Sequence, residues 1–216
     1  VCFRKGKYDR GQDKSNGDRR LTKDFMSAIA IPTPIGQAAD FRPDDPAVLE
    51  HPGLYELVDG ELRVKEMSSL AGKTAVIVCS RLFSFVESTE VASVFSETTF
   101  RCFPGKPNQL RRPDVAVVIA ARSAEIPEEG HVPVRPDLAI EVVCPEDRIY
   151  ELDDKLDDYA AAEIPLVWVI NPKARTLTIH RPGQSPVRLT ETQTVTGEMI
   201  LPGFAVAVRD LLPARR

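Results

Sequence analysis

PDLAIEVVCPEDRIYELDDKLDDYAAAEIPLVWVI, residues 136–170, sets out the fold in one pass. A short apolar run (137–143) gives way to a polar break. A helical stretch (153–162) follows, and then a second apolar run, LVWVI (166–170). Two buried strands with a helix between them point to a mixed domain with a central sheet. One residue disturbs the pattern. Glu141 lies between Ile140 and Val142, and a carboxylate inside a buried strand is costly unless something compensates it.

Side chains alternate along a strand, so Ala139, Glu141 and Val143 share one face, and Leu138, Ile140 and Val142 share the other. Two readings of Glu141 stand. It is a ligand at the exposed end of a central strand, or a carboxylate on the open face of an edge strand, paired with an arginine. In the helix, Lys155 shares a face with Leu152 and Tyr159. Its stem can lie along apolar surface while the ammonium reaches a polar site. It can equally be a solvated lysine paired with Glu151 or Asp158. Tyr159 is a core residue whose hydroxyl is in reach of the site, and Trp168 is core.

Working towards the N-terminus, RRPDVAVVIA (111–120) is another strand, with Asp114 at its start. The segment 121–136 is Pro-rich and acidic, and reads as a loop. Asp114 and Glu141 at the mouths of adjacent strands offer oxygen ligands for a hard divalent cation. The plainer reading of Asp114 is a strand-start residue satisfied by backbone or by an arginine. LYELVDGELRVKEM (54–67) is a hairpin turned by Asp59-Gly60. Glu56 and Glu61 flank that turn. Glu61 reads as solvent-facing, whereas Glu56 is either an accessory acid of the site or another solvent-facing residue. Residues 74–87 have helical spacing, and short strands are expected near 91–95 and 98–103. TLTIHR (176–181), VRLT and GFAVAV add strands after LVWVI. The whole is an α/β (α+β) domain with a central sheet.

The 216-residue chain has room for one sizeable core. Its net charge of −4 argues against a generally basic nucleic-acid-coating surface, though not against a local basic patch. No apolar run is read as spanning a bilayer, so no membrane is expected. Cys2, Cys79, Cys102 and Cys144 form no CxxC pair, and His51, His131 and His180 are far apart. The cysteines therefore read as small buried hydrophobes, and the compartment as a reducing cytoplasm. Residues 1–25 carry eight Lys or Arg against four acids. With the Pro-rich stretch after them they form an expected extension, 1–45, partly disordered or not native to the chain, ahead of one domain at 46–213.

The blocks LYELVDGEL, RRPDVAVV, PDLAIEVVCPEDR and KLDDYAAAEIPLVWVINPKARTLTIHR, with LPGFAVAV closing, together resemble the Uma2 family of restriction-endonuclease-like proteins. The resemblance implies the restriction endonuclease-like fold of the PD-(D/E)XK nuclease superfamily, a central mixed sheet flanked by helices. It implies that Asp114 and Glu141 bind metal, with Mg²⁺ or Mn²⁺ as cofactor and no organic cofactor. The superfamily places a lysine two residues after that acid, where this chain has Val143. The resemblance assigns the role to Lys155 instead, and makes Glu56 an accessory catalytic residue. Family members often carry a histidine near the start of the helix after the hairpin. This chain has Lys73 and Thr74 there.

The expectation is a divalent-metal-dependent endonuclease acting on DNA, with Asp114, Glu141, Lys155 and Glu56 at the site. Arg111 and Arg112 are its candidate nucleic-acid contacts, Arg122 and Arg135 lie further out, and a homodimer is expected from the resemblance. The alternatives are a non-catalytic nucleic-acid- or protein-binding module on the same fold, and a metal-dependent enzyme for a non-nucleic substrate. Convergence of Asp114, Glu141 and Lys155 on one cavity is what the enzyme reading requires.

Overall fold

The computed structural model describes residues 40–65, 67–144 and 149–215. The basic N-terminal stretch of the sequence reading lies outside them.

The hairpin is strand β1 (Tyr55–Val58) paired antiparallel with β2 (Glu61–Val64), after a one-turn helix α1 (Pro46–Leu49). Asp59 and Gly60 both take positive φ, 51° and 81°, which a two-residue turn of this hand requires. A Cβ on Gly60 would meet Asp40 Oδ1 at 2.5 Å, because Phe41 N–H donates to the Gly60 carbonyl and draws that segment onto the turn.

Helix α2 (Ser69–Thr89) begins five residues before the periodic stretch 74–87. Ser68 caps it, its hydroxyl accepting from Ala71 N–H at 3.3 Å. At 21 residues α2 is long and apolar enough to cross a membrane by length and composition, which corrects the expectation that no such run exists. Its buried stripe of Ala71, Ala75, Val78, Leu82 and Val86 packs into the main core instead.

The central sheet has six strands, β3 (Ala92–Ser96), β4 (Val115–Ile119), β5 (Leu138–Val142), β6 (Leu166–Asn171), β7 (Thr176–His180) and β8 (Val187–Thr190), neighbours in that order. All pairs are antiparallel except β5 with β6. That parallel pair needs a crossover, which is helix α3 (Ile149–Ala161). A hairpin of β9 (Thr194–Gly197) and β10 (Leu201–Ala207) follows, closed by a 3₁₀ turn at Val208–Leu211. β5 is therefore central, and the edge-strand reading of Glu141 falls.

The two faces of β5 divide as alternation requires. Leu138, Ile140 and Val142 join α2, Trp168 and Phe204 in the main core. Ala139 joins Tyr159, Ala162 and Phe103 under α3. The strand expected at 98–103 is not there. Phe100 makes isolated bridges to Arg111 and to Val132, because Pro104-Gly105 turns the chain before a ladder can extend. The loop expected from 121 overlaps a 3₁₀ helix, Ala120–Glu125.

Candidate active site

Alternation on β5 aims Glu141 towards α3, while the antiparallel register of β4 with β5 (Val115 against Ile140) brings Asp114 alongside it at the strand mouth. Asp114 Oδ2 accepts the Val142 N–H at 2.5 Å, which ties the carboxylate to the backbone next to Glu141. Both side chains are almost fully buried. They line a cavity of about 540 Å³, together with Glu56, Lys65 and Lys155.

Lys155 descends from α3. Its ammonium lies 2.9 Å from Glu56 Oε1 and 3.2 Å from Glu141 Oε2. The solvated pairing with Glu151 or Asp158 is not what the structure shows. One turn on, Tyr159 donates its hydroxyl to Glu141 Oε1 at 2.5 Å. Thus both oxygens of Glu141 are held from the same helix face, at the i and i+4 positions that face the sheet together.

Glu56 sits on β1 with all its oxygens engaged. Oε1 accepts from Arg112 N–H at 2.9 Å besides Lys155, and Oε2 accepts from Arg111 Nη1 at 3.1 Å. Burial alone would raise its pKa, yet Lys155, Arg111 and the Arg112 N–H outweigh burial and hold it at about 2. Glu141 goes the other way. Burial, with added repulsion from Asp114 and Glu56, outweighs the pull of Lys155 and Lys65 and pushes its carboxyl up to about 7. Burial would lower the Lys155 pKa, but Glu141 and Glu56 win and raise it well above the usual lysine range. Lys155 is therefore a permanent cation here, suited to orient water and to stabilise developing negative charge, but not to accept a proton.

The two arginines expected as nucleic-acid contacts are both engaged within the chain. Arg111 is 3% exposed, with Nη2 at 2.5 Å from Asp158 Oδ2 and Nη1 on Glu56. Asp158 also takes Gln109 Nε2 and Lys106 Nζ. That network braces α3 against the segment before β4, and each nitrogen of the Arg111 guanidinium has a carboxylate partner within it. Arg112 donates to the Tyr55 and Glu97 carbonyls, at 3.0 and 2.8 Å, and lies over the Tyr55 ring. Both arginines fasten the hairpin to the sheet. Arg122 is paired with Asp137. Glu61 is exposed and pairs with Arg63 at 3.0 Å.

Two residues were not anticipated, Lys65 in the cavity wall and Glu97 behind it as its partner. Lys65, just after β2, places its ammonium 2.7 Å from Asp114 Oδ1, 3.0 Å from Glu97 Oε2 and 2.9 Å from the Arg112 carbonyl. Glu97, just after β3, has its other oxygen, Oε1, buried without a hydrogen-bond partner. Burial raises the Glu97 pKa, with Lys65 pulling against it. A signal for Lys65 existed in the sequence. The Asp59-Gly60 turn pairs Glu56 with Arg63, and Lys65 lies two residues on, on the same face. Glu97 had none, since its place depends on where β3 ends.

A divalent cation fits the chemistry of the site. The donors are hard oxygens, and Mg²⁺ needs only one or two carboxylates, keeping water for the rest. Asp114 and Glu141 supply two such carboxylates side by side in the cavity wall. Among the described residues no three His, Cys, Asp or Glu side chains already converge as a ligand set.

Residues 46–209 match the family model Uma2, described as "Putative restriction endonuclease". No curated protein matches. A solved structure from Anabaena variabilis, described as "a putative nuclease belonging to DUF820", aligns at a TM-score of 0.63 and 21% identity, covering 76% of this chain and 93% of that one. Likeness at that identity establishes the fold, the nuclease fold expected above. A cryoEM structure of a DrdV–DNA complex aligns at a TM-score of only 0.29 and 13% identity, over 54% of this chain and 12% of that one, too little to argue from.

Proposed function

This chain belongs to the Uma2 family, and from that premise we propose that it is a divalent-metal-dependent endonuclease acting on DNA. The observation that carries the proposal is the meeting of Asp114, Glu141 and Lys155 on one cavity, from three separate elements, with Lys155 on Glu141 at 3.2 Å. In this reading Asp114 and Glu141 hold Mg²⁺ or Mn²⁺. When bound, such an ion neutralises phosphodiester charge and makes water a stronger nucleophile.

The chain's own groups do the rest. Tyr159 fixes the Glu141 rotamer, and the Val142 N–H fixes Asp114. Glu56 holds Lys155 at the cavity wall, where its ammonium orients the attacking water and stabilises charge as it develops on the phosphate. Glu56 is thus a positioning residue acting through Lys155.

The test is cleavage of supercoiled, linear duplex and single-stranded DNA with Mg²⁺ or Mn²⁺. The parent is compared with Asp114→Ala, Glu141→Ala and Lys155→Ala. Loss of cleavage in the three variants supports the site, and undiminished cleavage in all three sinks it. A second reading, a protein-binding module that keeps the fold, is favoured by one observation. Val76 and Phe83 leave α2 with exposed apolar side chains, 68% and 52% exposed. A parent that cuts none of the substrates favours that reading.

A further inference from the structure

We propose that Lys65 is a resident counter-ion that competes with the divalent cation for Asp114 and so sets how much metal the site needs. The inference rests on the metal-binding reading above and adds a residue that reading does not use. An ammonium has three hydrogens to donate, and Lys65 has three oxygens around it: Asp114 Oδ1 at 2.7 Å, Glu97 Oε2 at 3.0 Å and the Arg112 carbonyl at 2.9 Å. Its side chain is only 13% exposed, so this is a seated cation rather than a passing surface contact. The other oxygen of Asp114 is taken by the Val142 N–H. A metal ion reaching Asp114 must therefore displace Lys65 or sit beside its charge.

Glu97 makes displacement feasible. With Asp114 given up to metal, the ammonium keeps the half-buried Glu97 carboxylate and a carbonyl. The Oε1 of Glu97, buried and without a hydrogen-bond partner, is a further acceptor for it. Lys65 acts through Asp114 and is a positioning residue.

The sign of one measurement separates this from a merely structural role. If Lys65 only props up the site, its removal disorders Asp114 and weakens metal binding. If it competes, its removal strengthens metal binding. Mn²⁺ titration of EDTA-stripped protein, read by electron paramagnetic resonance of free Mn²⁺, compares the parent with Lys65→Met and Lys65→Arg. Removing a unit charge from beside a divalent ion at a mostly buried site predicts affinity about ten- to a hundredfold tighter in Lys65→Met. Lys65→Arg, which keeps the charge, stays near the parent. Equal or weaker binding by folded Lys65→Met overturns the inference.

Should Lys65→Met not fold, the ammonium resonance of Lys65 in the parent, assigned by its absence in Lys65→Arg, decides the matter. It moves or broadens as Mg²⁺ saturates the protein if Lys65 yields Asp114, and an unmoved signal at saturation overturns the inference. Parent binding without gain in Lys65→Met leaves the proposed function standing and this inference fallen. Binding by Lys65→Met alone supports this inference and removes the metal from the proposed function of the parent. Binding by neither overturns both.

Discussion

Tyr159 and Glu141 are joined by a 2.5 Å hydrogen bond that runs from the buried face of α3 to the centre of the sheet. The tyrosine is 1% exposed and the glutamate 5%, so the bond is made in a largely desolvated setting. Tyr159→Phe keeps the ring packing and leaves Glu141 Oε1 without that partner. The expected cost is about 1–3 kcal/mol of stability, the penalty of an unsatisfied buried acceptor. Urea unfolding at pH 7 measures it, and a loss below a few tenths would mean the bond contributes nothing net.

Glu141 and Glu56 should bend the pH profile of stability in opposite directions. The Glu141 carboxyl is at about 7 in the folded chain, above its unfolded value. Between about 4.3 and 7 the folded state binds more protons than the unfolded one, so stability falls as pH rises through that window. Glu56, held at about 2, binds fewer protons when folded. Its contribution is present above the unfolded value and is lost as pH falls towards 2. In EDTA, Glu141→Gln should flatten the decline towards pH 7, by an amount on the order of 2 kcal/mol. Glu56→Gln should flatten the acid limb. A Glu141→Gln profile parallel to the parent's would show that Glu141 ionises normally.

Arg111 should behave as a brace. Arg111→Met leaves Asp158 and Glu56 without their guanidinium in a buried setting, where breaking one partner of a pair costs about 3–5 kcal/mol. Denaturant midpoints give the loss. Affinity for duplex DNA, corrected to the folded fraction, should stay within about twofold, since an enclosed side chain adds nothing to the electrostatics of phosphate contact. Retained stability with lost affinity would restore Arg111 to the surface.

Gly60→Ala tests the turn. Its φ of 81° disfavours any Cβ, and the added atom would fall 2.5 Å from Asp40 Oδ1. A loss of about 1–2 kcal/mol is expected. Asp40→Ala in the same chain relieves the clash but not the backbone strain, so it should recover only part of the loss, measured by thermal unfolding.

Residues 136–170 were legible because each signal in them is local. Alternation sorted Ala139 and Glu141 from Leu138, Ile140 and Val142. The spacing of Leu152, Lys155 and Tyr159 gave the sheet-facing side of α3. The Asp59-Gly60 turn was equally local. What the sequence hid depends on long-range register. Phe100 is apolar and β-prone, yet its partners lie in two segments that each meet it once. Arg111 and Arg112 look like a surface pair in the string RRPD. The burial of Arg111 follows from Glu56 and Asp158, 55 and 47 residues away in sequence. Lys65 stood on a face that could be inferred, but its target Asp114 could not be.

The displaced lysine has a consequence for how the domain comes together. With a lysine at position 143, acid and base would share one strand and be near each other even in an unfolded chain. Here Lys155 comes over a crossover, Glu56 from the N-terminal hairpin and Lys65 from its far end, so the pairs Lys155–Glu56 and Lys65–Asp114 each close a long loop. Such contacts carry their loop entropy before they return any energy. Until hairpin and helix have docked, Asp114 and Glu141 lack the ammonium partners that neutralise them in the folded domain.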